Sequence, residues 1–177
     1  MLFVILIQKL GKLKTLLLIR HAKSSWEDDG LSDFDRPLND RGKKDAPVMA
    51  DRLYERGIKI DAFISSPAKR AKKTAEQFAK RYKKQEEELI LKTELYLATE
   101  EAFYTLVEKM DDNFDCVAIF THNPGITDFA NSLTDARIDN IPTCGIFAVS
   151  IEAKKWNKFR EAKKNFLFFD YPRAVVK

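Results

Sequence analysis

Cysteine and histidine are both scarce in this chain, two of each in 177 residues. Cys116 lies inside an apolar run and Cys144 precedes a glycine, which excludes both a zinc-ligand spacing and the cysteine framework of a small secreted domain. A reducing, cytoplasmic setting is therefore expected. The glycines form no glycine-rich phosphate loop, and no cluster of acids suggests Mg²⁺, so nucleotide-type phosphate chemistry finds no support. Internal repeats, low-complexity tracts and linkers are absent too. No apolar run is long enough to span a bilayer: Leu2 to Ile7 is too short, with no basic residue ahead of it and no small-residue cleavage site behind.

What is present is the composition of an ordinary globular domain, 45% apolar and 33% charged. The length suits one well-cored domain. A net charge of +4 fits an anionic substrate but is too small and too dispersed for a nucleic-acid surface. The working domain is expected over residues 14–177. Residues 1–13 read as an N-terminal extension of open role, either an extra edge strand or a loosely packed segment. Membrane-surface contact through Leu2 to Ile7 with Lys9, Lys12 and Lys14 is the weaker alternative, without stable insertion.

The apolar run Thr15 to Ile19 stops abruptly at Arg20-His21. Such a run reads as a strand buried on both faces, which delivers Arg20 and His21 to the carboxyl edge of a parallel sheet, where open α/β sheets bind ligands. Asn39 is a plausible cap for a helix to about Glu55, although Pro47 means either a kink there or a later start with Asp45 as cap. Ile60 to Ile64 predicts a second strand. Ser66 as cap and Pro67 as first residue predict the following helix, with Arg70 in its first turn beside the positive end of the helix dipole. A short strand at Leu89 to Lys92, a helix over Thr99 to Met110 and a buried strand at Cys116 to Phe120 come next. That last strand runs into Thr121-His122-Asn123-Pro124. A helix over Pro124 to Leu133 and strands at Gly145 to Ile151 and Asn165 to Phe169 complete the chain. The alternation predicts an α/β fold, three layers with a mostly parallel central sheet.

Both histidines thus follow apolar strands. One such histidine would pass for a core residue, but two at the same structural position are harder to dismiss. Arg20, His21, Arg70 and His122 project from one sheet edge, giving two fixed cations and two imidazoles, a constellation suited to phosphoryl transfer. A neutral imidazole can attack phosphorus, and guanidiniums offset the charge that develops on the equatorial oxygens. No metal or other cofactor is called for. Metal binding by the two histidines is the lesser alternative, since flanking arginines repel a cation.

Taken together, Arg20-His21, Ser65-Ser66-Pro67 with Arg70, Ala71-x-x-Thr74-Ala75 and Thr121-His122-Asn123-Pro124 resemble the histidine phosphatase superfamily, the phosphoglycerate-mutase-like fold. Arg20 to Ser24, the Arg36-Pro37-Leu38 turn and the short chain are similar to its SixA-type phosphohistidine phosphatases. The resemblance runs from about Lys14 to Pro172. It implies that His21 is the nucleophile and that Arg20, Arg70 and His122 bind the phosphoryl group. By the same resemblance Ser24 and Asn123 border the pocket. Arg36 is a candidate substrate contact, with an ion pair to Asp33 or Asp35 as the alternative. Ala22 stands where glycine is common in the superfamily.

Mutases and phosphomonoesterases of the superfamily take a leaving-group acid from after the arginine helix, where this chain offers only Glu94. An alkoxide needs that proton, whereas imidazole, whose conjugate acid has a pKa of about 6.5, leaves with little help. The expectation is a metal-free phosphatase acting on phosphohistidine in a partner protein, of the kind used in signal transduction. A small-molecule phosphomonoesterase or mutase with Glu94 as acid, and a non-catalytic module that binds a phosphorylated partner, are the alternatives.

Overall fold

The computed structural model describes residues 13–27 and 29–174, so the expectations for Leu2 to Ile7, Lys9 and Lys12 lie outside the described residues. Six strands form one sheet: β1 (Lys14–Arg20), β2 (Ala62–Ser65), β3 (Ile90–Leu91), β4 (Cys116–Thr121), β5 (Ile146–Ile151) and β6 (Lys164–Asp170). Their order is β3-β2-β4-β1-β5-β6. The first four strands in the chain run parallel; β5 pairs antiparallel with β1, and β6 antiparallel with β5. Four α-helices are described: α1 (Asp40–Glu55), α2 (Lys69–Arg81), α3 (Glu100–Glu108) and α4 (Gly125–Leu133).

Side chains on a strand alternate between faces, and β1 divides its residues accordingly. Leu17 and Ile19 join Ala46, Met49 and Leu53 of α1 and Ala75 and Phe78 of α2 in one core. Leu16 and Leu18 join Phe103 of α3, Phe129 of α4, Trp156 and Phe159 in the other. Each fully buried side chain of this size contributes about 1.5–3 kcal/mol, so the sheet centre is the most strongly held part of the molecule. The expected three layers and mostly parallel sheet are what the chain forms.

Register sets the site. Arg20 pairs with Thr121 across β1 and β4, so His21 and His122 leave neighbouring strands at the same level. Ser65 pairs with Phe120, which brings Ser66 level with Thr121. Beyond His21 the chain is pinned to the start of α1. Ser24 bridges Leu38, and Gly42 lies so close to the Lys23 carbonyl that a Cβ there would sit 2.1 Å from its oxygen.

Three local expectations change. Helix α1 starts after Asn39, whose side chain accepts from the Gly42 N–H at 2.9 Å, and continues through Pro47, so Asp45 is not its cap. Helix α2 starts at Lys69, not at Pro67, with Ala68 as its uncapped N-cap residue. The Ser66 hydroxyl is engaged elsewhere, 2.9 Å from His122 Nε2. Lys14 is not part of a membrane-facing basic surface. Its side chain is 1% exposed, and its ammonium donates to the carbonyls of Asp112 (2.6 Å) and Phe114 (2.9 Å) and to the Asp115 carboxylate (2.8 Å). No described helix is long and apolar enough to cross a membrane.

Candidate active site

His21 sits just past the end of β1, largely buried, with both ring nitrogens engaged. Nδ1 lies 2.8 Å from the Ala22 carbonyl oxygen, which can only accept, so the proton is on Nδ1. Nε2 then carries the lone pair, and it accepts from Arg70 Nε at 3.2 Å. Two contacts thus select the tautomer a nucleophile at Nε2 requires. Burial pushes the His21 pKa down to about 3, opposed by the Ala22 bond and helped by the smaller effects of the Arg70, Arg20 and Arg36 charges. The ring is neutral at physiological pH.

The His122 ring centre lies 5.0 Å from that of His21. Ser66 Oγ accepts from the Ala68 N–H at 3.3 Å and lies 2.9 Å from His122 Nε2; when its hydroxyl donates to Nε2, the His122 proton sits on Nδ1. That buried Nδ1 has no hydrogen-bond partner among the described residues. Burial first, then His21 and Arg70, also hold the His122 pKa at about 3.

Arg20 is half-buried. Its Nη1 donates to the Ile141 carbonyl at 2.7 Å and to Asn140 Oδ1 at 3.3 Å, while its buried Nε has no partner. A hydroxyl links the loop after His21 to helix α2: Thr74 Oγ1 accepts from the Ala22 N–H at 3.0 Å and donates to the Arg70 carbonyl at 2.7 Å. Arg20, His21, Arg70 and His122 therefore form one cluster at the expected sheet edge.

The remaining expected residues are placed less directly. Arg36 is buried and its donors serve the loop, with Nε to the Ser25 carbonyl (2.9 Å), Nη1 to Asp33 (2.8 Å) and Nη2 to Ser24 Oγ (2.8 Å). The Asp33 ion pair is present, but buried on the arginine side and not at the surface. Ser24 is thereby tied to Arg36. Asn123 donates to Asn140 and accepts from Thr127 Oγ1 at 2.9 Å, which braces the segment holding Arg20. Glu94 is exposed on a 3-10 turn and lines a surface hollow with Ile90, Lys92, Lys109 and Met110, away from the four-residue cluster. Its own backbone N–H holds the carboxyl below the usual range, the wrong direction for a proton donor.

Two residues near the cluster escape the sequence reading. Tyr96 lies edge-on to His122 with centres 5.5 Å apart. Its hydroxyl donates at 2.9 Å to Asp33, which also accepts from Arg70 at 2.8 Å. In the sequence Asp33 stands out only as a possible ion-pair partner of Arg36, and Tyr96 carries no signal of its own.

Residues 16–96 match the histidine phosphatase superfamily (branch 1), a span that contains Arg20, His21 and Arg70. Over that span the chain is similar to members of this superfamily. His122 lies beyond the matched span. An uncharacterised chloroplastic protein of Arabidopsis thaliana is 43% identical over 61 residues, which are 34% of this chain and 28% of that protein. The first curated relatives are matched over only 28–38% of their own length. Similar solved histidine phosphatase folds cover far more. One is named as the phosphohistidine phosphatase SixA of Agrobacterium tumefaciens, at TM-score 0.76 and 24% identity, covering 90% of this chain and 98% of the other. Another, the protein histidine phosphatase SixA complexed with tungstate, aligns at TM-score 0.76 and 18% identity over 89% and 97% of the two chains. At such identities the likeness is one of fold.

Proposed function

We propose that this chain is a phosphatase that needs no metal and removes the phosphoryl group from phosphohistidine in a cytoplasmic partner protein. The observation that carries the reading is the state of His21, a neutral ring with its Nε2 lone pair held against the Arg70 guanidinium. That nitrogen attacks phosphorus, the substrate P–N bond breaks, and the phosphoryl group rests on His21. Arg20, Arg70 and the His122 Nδ1–H stabilise the charge on its equatorial oxygens. Water then attacks phosphohistidine 21, releasing inorganic phosphate and restoring the free ring. The position of Glu94 favours phosphoramidate over ester, because the cluster lacks a carboxylic acid able to protonate an alkoxide. The tungstate complex of a like-folded SixA supports an oxyanion as the ligand of such a site.

The experiment compares phosphate release from a phosphohistidine-bearing protein and from an aryl phosphate, with the parent chain and with His21→Ala. The reading expects faster release from phosphohistidine, loss of turnover in His21→Ala, and an acid-labile phosphoenzyme trapped only in the parent. Faster ester turnover would overturn the substrate class. Binding without turnover by the parent would turn the chain into a non-catalytic module.

A further inference from the structure

We propose that Asp33 determines specificity by accepting the N–H of the departing imidazole, on the nitrogen remote from phosphorus. The proposal rests on the phosphohistidine reading above and deepens it. The starting point is the division of the Arg70 guanidinium. Its Nε bonds His21 Nε2 at 3.2 Å, its Nη1 bonds the Asp33 carbonyl and its Nη2 bonds Asp33 Oδ2 at 2.8 Å, so the guanidinium lies between the His21 ring and Asp33. That carboxylate is steered from three further points. Arg36 Nη1 donates to Oδ1 at 2.8 Å, the Tyr96 hydroxyl to Oδ2 at 2.9 Å, and Ser32 caps the 3-10 turn Asp33–Asp35. The Asp33 side chain is still 44% exposed, open to a ring presented by another protein.

The transfer runs between two imidazoles, and they need the same support. As His21 Nε2 takes the phosphoryl group, its other nitrogen keeps a proton held by the Ala22 carbonyl at 2.8 Å. In reverse logic, the substrate ring must carry a proton on its remote nitrogen to leave as neutral imidazole; without it the ring would depart as an imidazolide anion. When the P–N bond breaks, its electron pair stays on the departing nitrogen and the remote proton stays where it is. Three arginines around the site, Arg20, Arg36 and Arg70, work to strip that proton by like-charge repulsion. An adjacent carboxylate offsets them and receives the N–H in a charge-assisted bond. Burial acts to raise the Asp33 pKa, but hydrogen bonds from Arg36, Tyr96 and Arg70 hold it at about 2. Asp33 is therefore an acceptor at neutral pH, useless to an alkoxide and suited to an imidazole.

The test uses the full chain and two small substrates, N-phosphorylimidazole and its analogue methylated on the remote nitrogen, which has no N–H. In Asp33→Asn the ratio of kcat on the first to kcat on the second is expected to fall about 10–100-fold, the range of one hydrogen bond to a charged group. Asp33→Glu, which keeps the carboxylate, should restore part of the ratio. Inorganic phosphate affinity, measured by calorimetry on each variant, reports whether the Arg70 site is still formed. An equal loss on both substrates would overturn the proposal and leave Asp33 as a support for Arg70. Equal gains with tighter phosphate would overturn it too, making Asp33 a competing anion. The parent's preference between phosphohistidine and aryl phosphate tests the underlying reading separately, since the ratio for Asp33→Asn is measured within N-phosphoryl substrates alone.

Discussion

At one end of β1 the buried Lys14 ammonium meets two carbonyls and a carboxylate, all within 2.9 Å. At the other end Arg20 keeps its buried Nε without a protein partner, and so does Nδ1 of His122 beside it. The same strand thus carries a cation with its donors used and a cation with donors in reserve. Buried polar groups in folded proteins are nearly always paired, so a group left open needs a reason. An open donor does not by itself mark a site, since the Tyr82 hydroxyl is also unpartnered, within an apolar core. What sets the Arg20 end apart is that two open donors share a sheet edge with a third arginine-held group, the His21 lone pair. The Lys14 end serves the fold, and under the proposed function the Arg20 end keeps its bonding capacity for an anion.

The sharpest way to separate the ends is to truncate each cation. Arg20→Ala removes a donor to the phosphoryl oxygens and is expected to lower kcat/KM about 10²–10³-fold, as loss of one oxyanion donor does. Its melting temperature should move less than its activity, because the Arg20 hydrogen bonds run from Nη1 alone, to the exposed Asn140 side chain and to the carbonyl of the buried Ile141. Lys14→Met should do the reverse. It leaves the Asp112 carbonyl and Asp115 without the Lys14 donor, while the Phe114 carbonyl keeps the Trp156 Nε1–H at 2.8 Å, and is expected to cost about 1–3 kcal/mol of stability, read as a lower denaturant midpoint, with kcat/KM of the folded fraction unchanged. Equal activity losses in the two variants would erase the distinction.

Much of this contrast was legible in the sequence, and the reason is local. Apolar runs that end at Arg20-His21 and at Thr121-His122 place the histidines through strand periodicity alone, and Arg70 follows from a helix start. What was illegible depends on contacts distant in the chain. Lys14 looked like one more surface lysine because its acceptors are about a hundred residues away. Ser66 looked like a helix cap because its real partner, His122, is 56 residues on. Glu94 is the one acid the sequence offers after the arginine helix, yet the 3-10 turn Thr93–Leu95 leaves it exposed and brings Tyr96, two residues later, against His122. Asp33 and Tyr96 meet across 63 residues, and no local pattern announces that pairing.

The comparison also has a pH axis. His21 and His122 have pKa values near 3 in the folded chain, below the ordinary value of 6.5. A depressed histidine pKa means the unfolded chain binds the proton first, so this contribution is intact above pH 6.5 and is lost as pH falls toward 3. One unit below 6.5, each ring costs about 1 kcal/mol of stability. Denaturant midpoints at pH 7.5 and 5.5 should therefore separate more in the parent than in a His21→Gln, His122→Gln double variant. A parent midpoint indifferent to pH in that interval would place the rings in a solvated environment and remove the stated basis for a neutral nucleophile.

The smallest expected effect is none at all, on adding a chelator to the assay. Two histidines with centres 5.0 Å apart could in principle share a metal ion. Here His21 Nε2 is occupied by an Arg70 N–H and His21 Nδ1–H by the Ala22 carbonyl, while His122 Nε2 is taken by Ser66. A cation between the rings would have to displace Arg70 from the nitrogen it holds and then sit beside both Arg70 and Arg20. Those charges oppose it as strongly as they favour a phosphoryl dianion. The rate of phosphate release should be unchanged after dialysis against a strong chelator. A large loss restored by one divalent metal would mean that the open donors at the Arg20 end serve a metal-bound ligand, and the contrast with Lys14 would need a different explanation.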